Sequence, residues 1–160
     1  MNIINEFISQ AQRHPHAAAI IRLRQRDDGQ FEEEVCCTYR SLLEEARQLA
    51  AHLQVEAGEH TQVGLVMGNT PEWVLADIAL LLADLVEVPV PLAFSGEQAA
   101  FLLQNCQVVL TDTTGAQRLS EWQAGGLTLQ SVIRPLTLGE TPHYAASVAP
   151  ASRHHAGWCD

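Results

Sequence analysis

The chain has 160 residues, 47% of them apolar and 18% charged, with a formal net charge of −10. That balance fits one globular domain and excludes a disordered, charge-dominated segment. All nine basic residues are arginines, set against 19 carboxylates; such a surface repels phosphate backbones and anionic bilayers, which argues against nucleic-acid and membrane-surface partners.

In chain order, Asn2–Gln12 spaces Ile3, Ile4, Phe7, Ile8 and Ala11 as one apolar helix face, with Pro15 as a stop. Ala17–Arg24 and Phe31–Cys37 read as two strands around the turn Asp27-Asp28-Gly29, a hairpin whose Glu32-Glu33-Glu34 run faces water along an edge. Thr38 offers an N-cap to a helix lined by Leu42, Leu43, Ala46, Leu49, Ala50 and Leu53, with Glu44 and Glu45 on its solvated face and Gly58 a few residues past its end. Gln62–Met67 has the apolar density of a buried strand. Asn69 or Thr70 then caps a helix that has Pro71 in its first turn, Glu72 against its dipole and apolar residues on most sides from Val74 to Ala83.

Val86–Val90 reads as a short strand closed by Pro89 and Pro91. Ser95 caps a helix through Gln104, and Gln107–Thr111 is another buried strand. A short helix near Ala116–Gln123 and a strand near Leu127–Ile133 follow. Past Leu138 the pattern dissolves, so residues 139–160 read as a linker. The alternation predicts an α/β domain over residues 1–138: a layered helix–sheet–helix with a largely parallel sheet, preceded by an N-terminal helix and hairpin.

The chemistry-bearing residues form no complete site. A chain without lysine has no GxxxxGK[ST] loop, and GxGxxG is absent. His14 and His16 flank Pro15 in a polar connection; His52 sits on the polar side of its helix; His154, His155 and Cys159 lack a fourth ligand. Cys36, Cys37, Cys106 and Cys159 read as reduced thiols. Asp77 and Asp84 stand out for their apolar surroundings, Asp84 as a helix-ending turn. No catalytic, cofactor-binding or metal-binding residue is assigned. The apolar run Trp73–Pro91 is broken by Asp77, Asp84 and Glu87, which argues against a membrane span, and Met1–Gln10 lacks the basic start of a signal peptide; the expected location is cytoplasmic.

Three segments, in order, resemble the opening portion of the adenylate-forming (AMP-binding) ligase superfamily. Cys37-Thr38-Tyr39-Arg40-Ser41-Leu42 is similar to its "TYxEL" junction, Val63 to Val74 to its "VGLxxxNxxEWV" stretch, and Leu81 to Pro91 to its "LxAGxxxVPxxP" segment. The early pairs His14-Pro15 and Ala19-Ile20 match as well. On this resemblance Thr38, Tyr39, Asn69, Thr70, Glu72, Trp73, Pro89 and Pro91 are scaffold positions. Ser41 replaces the motif glutamate, which removes the reciprocal capping bond, and Asp84 replaces a glycine. Leu92–Glu97 lacks the aspartate and Tyr-Pro pair of amino-acid-activating domains, which implies a fatty, aryl or other simple acid.

The resemblance implies part of a ligase N-domain whose phosphate loop and catalytic lysine lie in later polypeptide, so that the chain is inactive alone. It implies ATP and magnesium as cofactors of the full-length enzyme. Its partners would be the rest of the polypeptide, a small carboxylic acid, and a thiol acceptor, either CoA or carrier-protein phosphopantetheine. Two alternatives stand beside this reading: a non-catalytic ligase-like interaction module, and a small flavodoxin-like nucleotide-binding protein.

Overall fold

The structure, a computed structural model, describes residues 2–140. Helix α1 (Ile3–Arg13) is capped by the Asn2 side chain, which accepts from the Ile4 amide, and it ends at His14, just before Pro15. Strands β1 (Ala18–Gln25) and β2 (Phe31–Thr38) pair antiparallel as a separate two-stranded sheet. Near its root Ile20 faces Cys37; farther out Arg22 faces Glu34, and the two side chains pair at 2.9 Å. The outer half is exposed on both faces, with Ile21, Leu23, Phe31 and Val35 on the apolar one.

Thr38 ends β2 and caps α2 (Tyr39–Ala57). The reciprocal cap bond expected to be lost with the motif glutamate is present. Ser41 Oγ accepts from the Thr38 amide at 3.1 Å while Thr38 Oγ1 accepts from the Ser41 amide. A serine three residues into the helix is short, but the cap amide sits close enough to reach it. Ser41→Ala is expected to destabilise the chain by about 1 kcal/mol, whereas Ser41→Glu stays within about 0.5 kcal/mol of the parent; urea unfolding checks both. Two further α2 amides, those of Tyr39 and Arg40, donate to the carbonyls of Ala17 and Pro15, which is how the His14-Pro15 turn comes to seat the helix. Gly58 is the C-cap itself, at φ 58°, so the helix runs up to it and not to a point some residues before it.

The main sheet holds β3 (Gln62–Val66), β4 (Val86–Pro89), β5 (Val108–Thr111) and β6 (Val132–Pro135), all parallel, in the order β4-β3-β5-β6. Its helices are α3 (Pro71–Ala83), α4 (Gly96–Leu103) and α5 (Thr113–Ala124). Parallel crossovers are right-handed, so α3, moving outward from β3 to β4, goes to one face. Helices α4 and α5, moving the other way, go to the opposite face. Val63, Leu65, Val108 and Leu110 accordingly pack with α2 and α3, and Val66 and Val109 with α4 and α5. Gly64 lies under α4: a β-carbon there would come within 2.3 Å of Leu103.

Both edge strands have a proline where an outward amide would stand. Val86 and Val90 donate inward to Thr61 and Leu65, which turns Glu87 and Pro89 outward; Val132 and Leu136 donate inward to Gln107 and Thr111, which turns Ile133 and Pro135 outward. Pro89 and Pro135 thereby remove a donor from each open edge.

Two expected boundaries change and one holds. Helix α5 begins at Thr113, because Asp112 caps it through the Gly115 amide. The last strand is Val132–Pro135, not Leu127–Ile133: Leu127 and Leu129 pack beneath the second core without laddering, and pairing starts only where Val132 meets Val108. Asp84 ends α3 in the left-handed region, at φ 57° and ψ 41°, as its turn reading requires. The expected linker lies outside the described residues after Glu140, as do His154, His155 and Cys159.

Candidate functional site

The scaffold positions gather at the N-terminal ends of α2 and α3 and at the end of β4. Tyr39 stacks obliquely on Phe7 at a centroid separation of 5.9 Å, tying α1 to α2. Trp73 packs half-buried against the first core. Pro89 ends β4, and Pro91 opens the turn that follows, where the Phe94 amide bonds back to its carbonyl.

Asn69 is exposed, and the cap position of α3 belongs to Thr70, yet the Thr70 side chain makes no cap bond. Its hydroxyl donates instead to Asp112 Oδ2 at 2.8 Å, and the Gly68 amide donates to the same oxygen at 2.9 Å. Asp112 Oδ1 accepts from the Gly115 amide at 2.6 Å. Asp112, only 3% exposed, therefore joins the β3–α3 loop to the first turn of α5. Sequence reasoning passed over this residue; its position before Thr113 was the local cap signal available.

Glu72 does more than oppose a helix dipole. Its carboxylate accepts from the Leu138 amide at 3.1 Å, and Glu45, expected to be merely solvated, accepts from the Gly139 amide at 3.0 Å. These bonds hold the segment after β6 across α2 and α3, with Leu136 buried beneath it. Glu56 on α2 pairs with Arg134 on β6 and, at 3.2 Å, with His52, whose side chain is half-buried and not simply on a polar face. Burial pushes Glu56 upward, but Arg134 and His52 together outweigh it and hold the carboxyl below its ordinary range.

On the opposite face Arg118 donates to the carbonyls of Leu92 and Phe94, and Trp122 Nε1 also donates to Phe94. The two side chains clamp the β4–α4 loop, the guanidinium 5.2 Å from the indole centroid.

Asp77 has a polar neighbour, Glu87 on β4. Burial first, then the Asp77 charge and hydrogen bond, push Glu87 up to about 7. A carboxyl whose folded value lies above its unfolded one binds the extra proton in the folded state. Its stabilising contribution is complete below about pH 4.5 and disappears as pH rises to about 7. Glu87→Gln is expected to flatten the melting temperature across that window and to raise it by about 2 °C at pH 8, measured by thermal unfolding. Burial, with Cys36 adjacent, pushes the Cys37 thiol up to about 11, and burial also raises Cys106; neither is a ready nucleophile.

Among the described residues no group of three or more His, Cys, Asp or Glu side chains can hold a metal, and no helix is long and apolar enough to cross a membrane.

The family model of the AMP-binding enzymes matches residues 7–154. The chain belongs to this family. Tyrocidine synthase 2 of Brevibacillus parabrevis is 30% identical over 116 residues, covering 71% of this chain and 3% of that protein. Solved structures share the fold, among them the following two. A putative long-chain-fatty-acid CoA ligase from Rhodopseudomonas palustris has a TM-score of 0.62 at 21% identity, over 86% of this chain and 33% of that one. The nonribosomal peptide synthetase FmoA3, bound to α-methyl-L-serine-AMP, has a TM-score of 0.63 at 22% identity, over 84% of this chain and 14% of that one. The chain thus spans a third or less of the length of these relatives, and its fold is common to a protein named as a long-chain-fatty-acid CoA ligase and to one bound to α-methyl-L-serine-AMP.

The nucleotide that the family name implies does not fit the described residues at the expected place. Open α/β sheets bind ligands outside the carboxyl ends of the strands where crossovers diverge. Here that place lies between β3 and β5, where the Gly68 and Gly115 amides are taken by Asp112.

Proposed function

We propose that this chain is the N-terminal scaffold of an ATP-dependent ligase that adenylates a carboxylic acid and transfers the acyl group to a thiol. Carboxylate and ATP would give acyl-AMP and pyrophosphate, and the acyl group would then pass to CoA or to a carrier-protein phosphopantetheine. Magnesium would accompany the ATP in the full-length enzyme.

The observation that carries this reading is how the motif residues are used. Thr38 caps a helix, Thr70 joins a loop to Asp112, Glu72 holds the segment after β6, and Pro89 ends a strand. Each of these four is engaged in building the platform, within a chain that covers a third or less of its matched relatives. The preference for a fatty or aryl acid is supported by Leu92-Ala93-Phe94-Ser95-Gly96-Glu97, which lacks the aspartate and Tyr-Pro pair of amino-acid-activating domains.

ATP–pyrophosphate exchange tests the proposal. The 160 residues alone are expected to show none with octanoate, benzoate or amino acids. Exchange by this chain alone would overturn the scaffold reading. In a longer polypeptide carrying these residues, exchange only with amino acids would overturn the acid class.

A further inference from the structure

The order β4-β3-β5-β6 makes the gap between β3 and β5 the point where successive crossovers depart to opposite faces, the usual ligand crevice of such sheets. In this chain it is filled by protein. Asp112, at the carboxyl end of β5, takes the Gly68 amide and the Thr70 hydroxyl on one oxygen and the Gly115 amide on the other. Helix α5 sits so close to β3 that a β-carbon on Gly115 would lie 1.6 Å from the Val66 carbonyl oxygen.

We propose that this crevice is closed from within. The Asp112 carboxylate serves as an internal anion that fastens the β3–α3 loop to α5 and keeps nucleotide phosphate away from the carboxyl end of the sheet. Three features carry the proposal. The donors that would cradle a phosphate in other sheets of this layout are already committed, the amides of Gly68 and Gly115 among them. A buried carboxylate repels a second anion at the same position. The bonds to Gly68 and Thr70 span 44 and 42 residues of sequence, so the closure ties two separate crossovers together and is not a local helix cap alone. The proposal is independent of the ligase reaction and stands or falls separately from it.

Amide hydrogen exchange and chemical-shift mapping by NMR on the full chain test it. Asp112→Ser retains one oxygen to cap α5 and surrenders the other, which holds Gly68 and Thr70. The Gly68 amide is expected to exchange about tenfold faster in D112S than in the parent. About 100 mM sodium formate is expected to return that protection, where the same concentration of sodium chloride does not. In the parent chain, millimolar AMP is expected to move neither the Gly68 nor the Gly115 resonance. If D112S does not fold, Asp112→Asn preserves the side-chain volume but turns an NH2 group toward one set of donors, and the same acceleration at Gly68 or Gly115 is expected. Unchanged Gly68 exchange in the folded variant, formate acting no better than chloride on D112S, or an AMP-induced shift at Gly68 or Gly115 in the parent would each overturn the closure.

Discussion

Gly115→Ala is expected to destabilise the chain by about 3 kcal/mol, lowering the melting temperature by roughly 10 °C. The added methyl would stand 1.6 Å from the Val66 carbonyl oxygen and 2.5 Å from its carbon. Both are backbone atoms of a central strand, so no rotamer change relieves the overlap. Either α5 lifts away from the sheet, exposing Leu119 and Trp122 from the second core, or β3 shifts and disturbs its ladders to β4 and β5. Gly125→Ala is the matched control. Its β-carbon would lie 3.4 Å from the nearest atom, at a negative φ of −81°, so stability should stay within about 0.5 kcal/mol of the parent. Urea unfolding of both variants measures the contrast, and equal stabilities would mean that α5 does not press on β3 as described.

Asp112→Ala is expected to cost about 3 kcal/mol by the same measurement, because it removes one side chain and strands three donors that it had satisfied. The loss is not a sum of three bonds, since the Thr70 hydroxyl can turn to another acceptor or to water while the Gly115 amide, at a buried position, has less freedom. A double-mutant cycle with Thr70→Val separates these terms. Thr70→Val alone is expected to lose about 1 kcal/mol, and the pair is expected to fall short of additivity by a similar amount. Strict additivity would show that the hydroxyl and the carboxylate do not interact.

These two sites also show why part of the fold was legible in advance and part was not. The helices announced themselves through caps and period: Thr38 before Leu42 and Leu43, Ser95 before Ala99 and Leu103, and Pro71 in the first turn of α3. The strands β3 and β5 announced themselves through runs of β-branched and aliphatic residues that only a sheet covered on both faces can bury. Each of those signals acts within a few residues, which is why it can be read along the chain. The family motifs are a string of such local signals, and the family model confirms the membership that they implied.

What the local signals missed were mainly choices among partners. Ser41 reads as a lost glutamate until the cap geometry brings it within reach of the Thr38 amide. Thr70 reads as a cap until Asp112, folded back from beyond two crossovers, outcompetes the helix for its hydroxyl. Leu127 and Leu129 read as a strand because they are apolar, but a strand needs a neighbour in register, and β5 offers one only from Val132 onward.

The amino-acid sequence by itself determined the element types, the parallel α/β class and the absence of any lysine to meet a phosphate, since these follow from composition and short-range periodicity. Only the tertiary structure decided that Glu72 and Glu45 hold the segment leaving β6, that Glu56 meets Arg134, and that the crevice between β3 and β5 is shut. Those bonds join residues 42 to 94 positions apart. A buried carboxylate takes whichever donors the packed helices and sheet leave beside it, and that arrangement exists only once the chain has folded.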